Sequence, residues 1–447
     1  MKPYTEYKDS GVEWIGEIPA GWGLSKTKYL SYFSNGYSYR SQDWQGEENG
    51  IPVIRMSNIS ENGELNLTEK NTKYISPELS AETRLFRINK EDVLISMTDM
   101  SPKMGLLGKT MIFPFEGEYY LNQRVGRIKI DNKKMLTKFY HYSANTDNVR
   151  NQLKQEVYPN VQFNLSSETI KSGTIPLPPL TEQTQIANFL DTKTQQIDKL
   201  IQNKQQKIKL LQEKRIAVIN HAVTKGLNPD VEMKDSGVEW IGEIPVGWES
   251  TIVKRITLEH KQGYYSEEKY DDTGYKLLRI TDISDDTNVD FSLCPFYELP
   301  EDIASGFLLK VGDFVFARSG TIGRFGFIQE RVKSVFASYL IRFRFHKKLS
   351  SKFLKYYFQS TIFKDGLMSD LHGGANKNIH AENIKNQFVV FPILVAQQQI
   401  ANFLDTKTQQ IDDLISKEQR KIELLKEYRQ SLISDAVTGK IDVREAV

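Results

Sequence analysis

Residues 186–201 read IANFLDTKTQQIDKLI, and residues 400–415 repeat them with one change, Lys199 to Asp413. Extended beyond the repeat, both stretches carry an a/d series of alternating three- and four-residue steps. The first is Leu190, Thr194, Ile197, Ile201, Lys204, Ile208, Leu211, Arg215, Val218 and Ala222. The second is Leu404, Thr408, Ile411, Ile415, Glu418, Ile422, Leu425, Arg429, Leu432 and Ala436. Both are mainly apolar, contain no Gly or Pro, and carry their polar members at the same places. The spacing predicts two coiled-coil helices, each about 55 Å long at ~1.5 Å per residue. Each follows a proline-bearing segment, IPLPPLTEQ (175–183) or FPILVAQQQ (391–399), and stops near Gly226 or Gly439. Two matching helices in one chain most simply pair with each other, antiparallel; pairing with outside helices is the alternative.

A second repeat opens each unit. Residues 8–22 read KDSGVEWIGEIPAGW and residues 234–248 read KDSGVEWIGEIPVGW, differing only at Ala20 and Val246. The segments between the repeated ends barely resemble each other. The repeat offset falls from 226 residues at the unit start to 214 at its end, a length change that surface loops tolerate. A recent whole-unit duplication would have left the middles alike too. Equal ends therefore suit one shared task, such as binding the same partner twice, while each middle faces its own target.

The middles read as mixed β and α. Short apolar runs at 93–95, 126–130, 314–316 and 340–345 are strand-like, and 136–152 and 350–359 are helical. With 447 residues the chain has room for two or three domains with their own cores. Cys294 is the only cysteine, which excludes a disulfide framework and favours a reducing cytoplasm. No apolar run approaches the roughly 20 residues of a membrane helix, and the N-terminus lacks a signal-peptide core. Net charge is only +2, below that of a stand-alone nucleic-acid binder. Yet residues 309–355 hold 11 Lys and Arg against two acids, which points the middles towards a polyanion.

Catalytic motifs do not emerge. The nearest approach to a phosphate loop, Gly320 to Gly326, has the wrong spacing. The six histidines lack metal-ligand spacing. The Glu267-Glu268-Lys269 triplet is a pattern that chance supplies in a charged loop. No catalytic residue, cofactor or metal is expected in this chain. Weak correspondences do link the middles: Ile54-Arg55-Met56-Ser57-Asn58-Ile59 parallels Leu278-Arg279-Ile280-Thr281-Asp282-Ile283, and Asp92-Val93-Leu94 parallels Asp313-Phe314-Val315. Each of the latter leads into a Gly-bearing basic loop, 97–109 or 318–324. The GGANKN segment (373–378) faces YPNVQ (158–162) in the first unit. Such loops can present Arg, Ser and Thr to phosphates and base edges.

An opening DSGVEWIGEIPxGW, an R-x-S/T-x-I strand, a D-V/F-L/V strand with its Gly loop, and IPLPPLTEQ running into a long helix together resemble the DNA-specificity subunits of type I restriction-modification systems. The resemblance covers nearly the whole chain, twice. Only FPILVAQ departs from the Pro-Pro-Leu-Thr-Glu-Gln form. It implies an α+β chain with a pseudo-twofold internal repeat: target-recognition domains at 1–178 and 234–392, conserved helices at 179–226 and 393–440 forming an antiparallel coiled coil, a linker at 227–233 and a tail at 441–447. It further implies a cytoplasmic, non-catalytic subunit that reads a bipartite asymmetric site in double-stranded DNA. Two methyltransferase subunits would dock on the repeated ends, restriction subunits would join through them, and those partners would hold S-adenosylmethionine, ATP and Mg. Matching residue by residue, the expected DNA contacts are Arg55, Asn58, Lys103, Asn122, Gln123 and Arg124 in the first domain. In the second they are Arg279, Arg318, Thr321, Arg324, Lys377 and Asn378. The competing reading is a coiled-coil scaffold with two protein- or glycan-binding domains.

Overall fold

The computed structural model describes residues 2–47, 50–60, 63–68, 70–155, 163–265, 270–320, 323–370 and 378–445. Thr321, Lys377, the Glu267-Glu268-Lys269 triplet and the YPNVQ segment lie outside them. The chain forms two compact units, residues 1–203 with 421–447, and residues 204–420. Each long helix therefore contributes one part to each unit.

In the first unit, an antiparallel sheet runs in the order Thr110–Ile112, Val93–Ser96, Val125–Ile130 and Ser31–Asn35. Val93–Ser96 is buried throughout, which explains its unbroken apolar reading rather than an alternating one. A second sheet has the order Lys73–Ile75, Ile51–Ile54, Tyr119–Leu121 and Arg87–Ile88, with a parallel pairing of Ile51–Ile54 and Tyr119–Leu121. Ile54, Leu94, Phe113, Leu121 and Val125 form one core cluster. The stretch read as one helix over 136–152 is two, Thr137–Ala144 and Asp147–Gln155. Asn145 breaks it, because its amide grips both the N–H and the carbonyl of Thr110 at 2.9 and 3.0 Å.

The second unit repeats this plan with other residues. Its main sheet is Thr257–Gln262, Leu340–Phe345, Phe314–Ala317 and Phe325–Phe327. A three-stranded sheet pairs Tyr275–Leu278 in parallel with Ser334–Phe336 and antiparallel with Phe296–Tyr297. Here the core is aromatic: Phe314, Phe316, Phe325, Phe343, Phe353 and Phe358 are all buried.

The long helices, Leu180–Lys225 and Leu394–Val437, have 46 and 44 residues. At ~1.5 Å per residue they run roughly 69 and 66 Å, longer than the a/d series implied, because the chain turns helical directly after Pro179. Every residue of both series is buried or half-buried. Within the second unit Lys204 and Lys207 both meet Glu418 at 3.0 Å, and Arg215 meets Asp412 at 2.9 Å. In the first, Arg429 meets Asp198 at 3.0 Å. Rising numbers on one helix meet falling numbers on the other, so the helices pair antiparallel. The seam threonines are satisfied locally: Thr194 and Thr408 donate to the carbonyls of Leu190 and Leu404, both at 2.7 Å.

The repeated ends do the same structural work in both units. Gly439, at φ +76, lies against Trp22 and Pro19, where a Cβ would collide with the proline ring. Gly226, at φ +78, lies against Trp248. Tyr142 and Tyr356 donate to Asp191 and Asp405, each at 2.7 Å, fastening a domain helix to a long helix. Buried Gln183 accepts from the N–H of Leu136 and donates to the carbonyl of Pro178; Gln397 does likewise with Ser350 and Pro392. The glutamine, with Pro178 or Pro392 and Leu180 or Leu394, is thus a part of the proline-bearing segment that both copies keep.

Two outcomes follow. Gln397→Leu leaves a buried N–H and carbonyl without partners and lowers stability by about 2 kcal/mol, read by urea unfolding. Burial, with Lys109 and Arg429 adding to it, pushes His141 down to about 4. Folding therefore holds it neutral, and stability present above its ordinary ~6.5 is lost as pH falls towards 4. His141→Gln flattens that loss in melts recorded between about pH 6.5 and about pH 5.

Candidate nucleic-acid interface

Backbone hydrogen bonds draw the expected loops of the first unit to one end of its two sheets. The N–H of Asn122 donates to Ile54, that of Tyr37 to Leu121, and that of Met97 to Arg124, at 3.0, 2.8 and 3.0 Å. Leu165 N–H then reaches the Met97 carbonyl at 2.8 Å. The strand end before Arg55, the 97–109 loop and the 122–124 corner thereby become neighbours. Gly36 is needed at this crossing, since a Cβ there would run into the Asn122 carbonyl.

The second unit builds the same frame. Ala337 N–H donates to Leu278, Tyr264 to Phe336, Arg318 to Tyr339, and Ile379 to Arg318, at 3.0, 2.9, 2.9 and 2.7 Å. Gly263 packs against the Ala337 carbonyl as Gly36 does against that of Asn122. The side chains on this shared frame differ. Arg124 is answered by Tyr339 and Met97 by Arg318.

Among the described residues, Lys103, Gln123, Arg124, Arg318 and Asn378 enter no side-chain hydrogen bond or ion pair, so their donors are free. Lys103, Gln123, Arg124 and Asn378 are exposed and Arg318 is half-buried. Asn122 is half-buried and turns the corner between the sheets, its carboxamide oxygen accepting from Arg124 N–H at 3.4 Å.

Other expected contacts turn inward. Asn58 is fully buried; it accepts from Arg55 N–H at 2.9 Å and donates to Asn66 and Asn71. It is corrected to a turn-forming residue, because no surface is left for DNA to touch. Its counterpart, buried Asp282, takes a bidentate pair from Arg279 at 2.9 and 2.7 Å. That bonding holds the Arg279 guanidinium well above its ordinary value. Arg279 lies over the Tyr270 ring, as Arg55 lies over that of Trp44 while donating to the Asn71 carbonyl. These arginines fasten the turn after the strand. Arg324 pairs with Asp285. The basic excess of 309–355 is also partly internal: Arg342 is buried against Glu259, and Arg344 spans Asp313 and Glu259.

The structure adds exposed side chains that the sequence did not single out, Met100 at 65% and Tyr339 at 63% exposure. Aligning 119–130 with 334–345 would have placed Tyr339 opposite Arg124. No group of three or more His, Cys, Asp or Glu among the described residues is placed to hold a metal, and no helix among them is long and apolar enough to cross a membrane.

A family model described as the type I restriction modification DNA specificity domain matches residues 19–210 and 245–424. The chain is 22% identical to the type I restriction enzyme EcoBI specificity subunit of Escherichia coli, over 98% of this chain and 90% of that one. It is 28% identical to the MjaVIII specificity subunit of Methanocaldococcus jannaschii, over 80% of each. A chain in a solved structure concerned with complex assembly and conformational transition of the type I R-M system superposes with a TM-score of 0.71, at 15% identity, over 95% of this chain and 99% of that chain.

Replacing Arg279 with Ala strands the buried Asp282 carboxylate and costs about 3 kcal/mol in unfolding free energy. Arg318→Ala shifts it by less than about 0.5 kcal/mol, which separates turn-fastening arginines from free ones.

Proposed function

The chain belongs to the type I restriction modification DNA specificity family, and on that premise we propose that it reads an asymmetric two-part site in double-stranded DNA, one half with each unit. The observation that carries this reading is the pair of matching loop frames bearing different side chains. Identical backbone bonding fixes where the loops stand, while Lys103, Gln123 and Arg124 in one unit and Arg318, Tyr339 and Asn378 in the other decide what they meet. Free guanidinium and carboxamide groups suit base edges and phosphates.

The repeated ends support a partner used twice. Two methyltransferase subunits docking there would bring the restriction subunits with them, and those partners would hold S-adenosylmethionine, ATP and Mg. A net charge of +2 fits this division, since partner subunits can supply many of the phosphate contacts that dominate salt-dependent affinity.

Co-expression with the neighbouring methyltransferase, followed by sequencing of host DNA for modified bases, tests the reading. One split, asymmetric motif that vanishes when this chain is omitted is the expected result. Exchanging residues 4–178 for another member's first domain changes one half of that motif. A change in both halves, or in neither, sinks the assignment of one half-site to each unit.

A further inference from the structure

Arg150 stands out in the first unit as a 6% exposed cation with no salt bridge to a carboxylate among the described residues. A buried charge is normally paired, because leaving water is costly. Here the guanidinium is given over to the carbonyls of one loop. It donates to Leu107 at 3.2 and 3.0 Å and to Gly105 at 2.6 Å. The same loop is braced from within by buried Asp99, which accepts from the N–H groups of Ser101 and Leu106 at 2.8 and 2.7 Å. Its ends are tied by the pairing of Thr98–Asp99 with Phe163–Asn164 and by the Asn145 grip on Thr110. What this bracing presents is a tip on which Met100, Pro102 and Lys103 are exposed, Met100 and Lys103 being the two that differ most in chemistry.

The second unit places a cation at the same helical position. Lys364 lies 214 residues after Arg150, the offset of the repeat, and its stem packs beneath Gly323 of the corresponding loop. A cation under the loop thus recurs although the loops themselves differ.

We propose that Arg150 is the positioning residue that sets the 97–109 loop for reading the first half-site, with Met100 and Lys103 as the side chains it presents. This rests on the reading of the first unit as a DNA reader. An apolar side chain beside an amine suits a base step with a thymine methyl next to a guanine edge, and the contacts discriminate only if the loop is rigid. A lysine at 150 keeps the charge but lacks the planar fork that serves two carbonyls at once.

The test maps modified bases in host DNA after co-expression of full-length variants with the methyltransferase subunit. Arg150→Lys is expected to relax preference about tenfold at bases of one half-motif, with the other half unchanged and the complex assembled. Met100→Ala, an exposed change that leaves folding intact, is expected to relax bases within that same half. A uniform drop in modification with both halves equally sharp would make Arg150 merely structural and overturn the proposal. An unchanged motif in Arg150→Lys, or relaxation by Met100→Ala in the other half, overturns it as well. If the wild-type chain directs no motif at all, the DNA-reading assignment fails first and takes this one with it.

Discussion

The antiparallel seam of the two long helices is the constraint on which the rest depends. Its polar positions allow one register. Asp198 finds Arg429 in the first unit, and their counterparts Asp412 and Arg215 find each other in the second. Lys204 and Lys207 converge on Glu418, which is 3% exposed and would lose both ammonium groups after any slip, at the cost that separating a buried ion pair carries. Everything that joins the domains to the helices refers to that register. Trp22 and Trp248 close helix ends at Gly439 and Gly226, and Tyr142 and Tyr356 reach aspartates one turn from the seam threonines.

Much of this was legible in the sequence, for a physical reason. A seam residue must be apolar at every a/d step over many turns, so the pattern accumulates evidence with length. The strands 93–96 and 340–345 were legible because burial demands apolar or β-branched side chains in a short run. The break at Asn145 was not, because it depends on a carboxamide reaching Thr110, a distant partner that local periodicity does not encode. The a/d series alone understated the helices for a related reason, whereas the bounds implied by the resemblance, 179–226 and 393–440, fall within a few residues of Leu180–Lys225 and Leu394–Val437. Their first turns are held by Gln183 and Gln397, which look like ordinary surface residues until the chain is folded.

The interface was legible in outline and obscure in detail. Gly-bearing loops after D-V/F-L/V strands are the ones that backbone hydrogen bonds gather at one end of each domain. Residue type alone could not tell a free arginine from a committed one: Arg318 and Arg279 look equally available, yet the second is held by Asp282. Asn58 and Arg342 mislead in the same way, because a polar side chain in the interior is recognised only by its partners. Met100 and Tyr339 escaped notice because apolar and aromatic residues in such domains are usually core, and only the fold reveals the few left outside.

The Lys204–Glu418 contact carries a consequence for pairing by identity. The two residues occupy equivalent places in the repeat, so here a position meets its own counterpart. Were the first helix to pair with a copy of itself in the same register, Lys204 and Lys207 would face a second Lys204 and Lys207, four ammonium groups with no acid among them. The first long helix is therefore fitted to a partner helix unlike itself, and its pairing with its own copy is disfavoured by charge at this step of the seam.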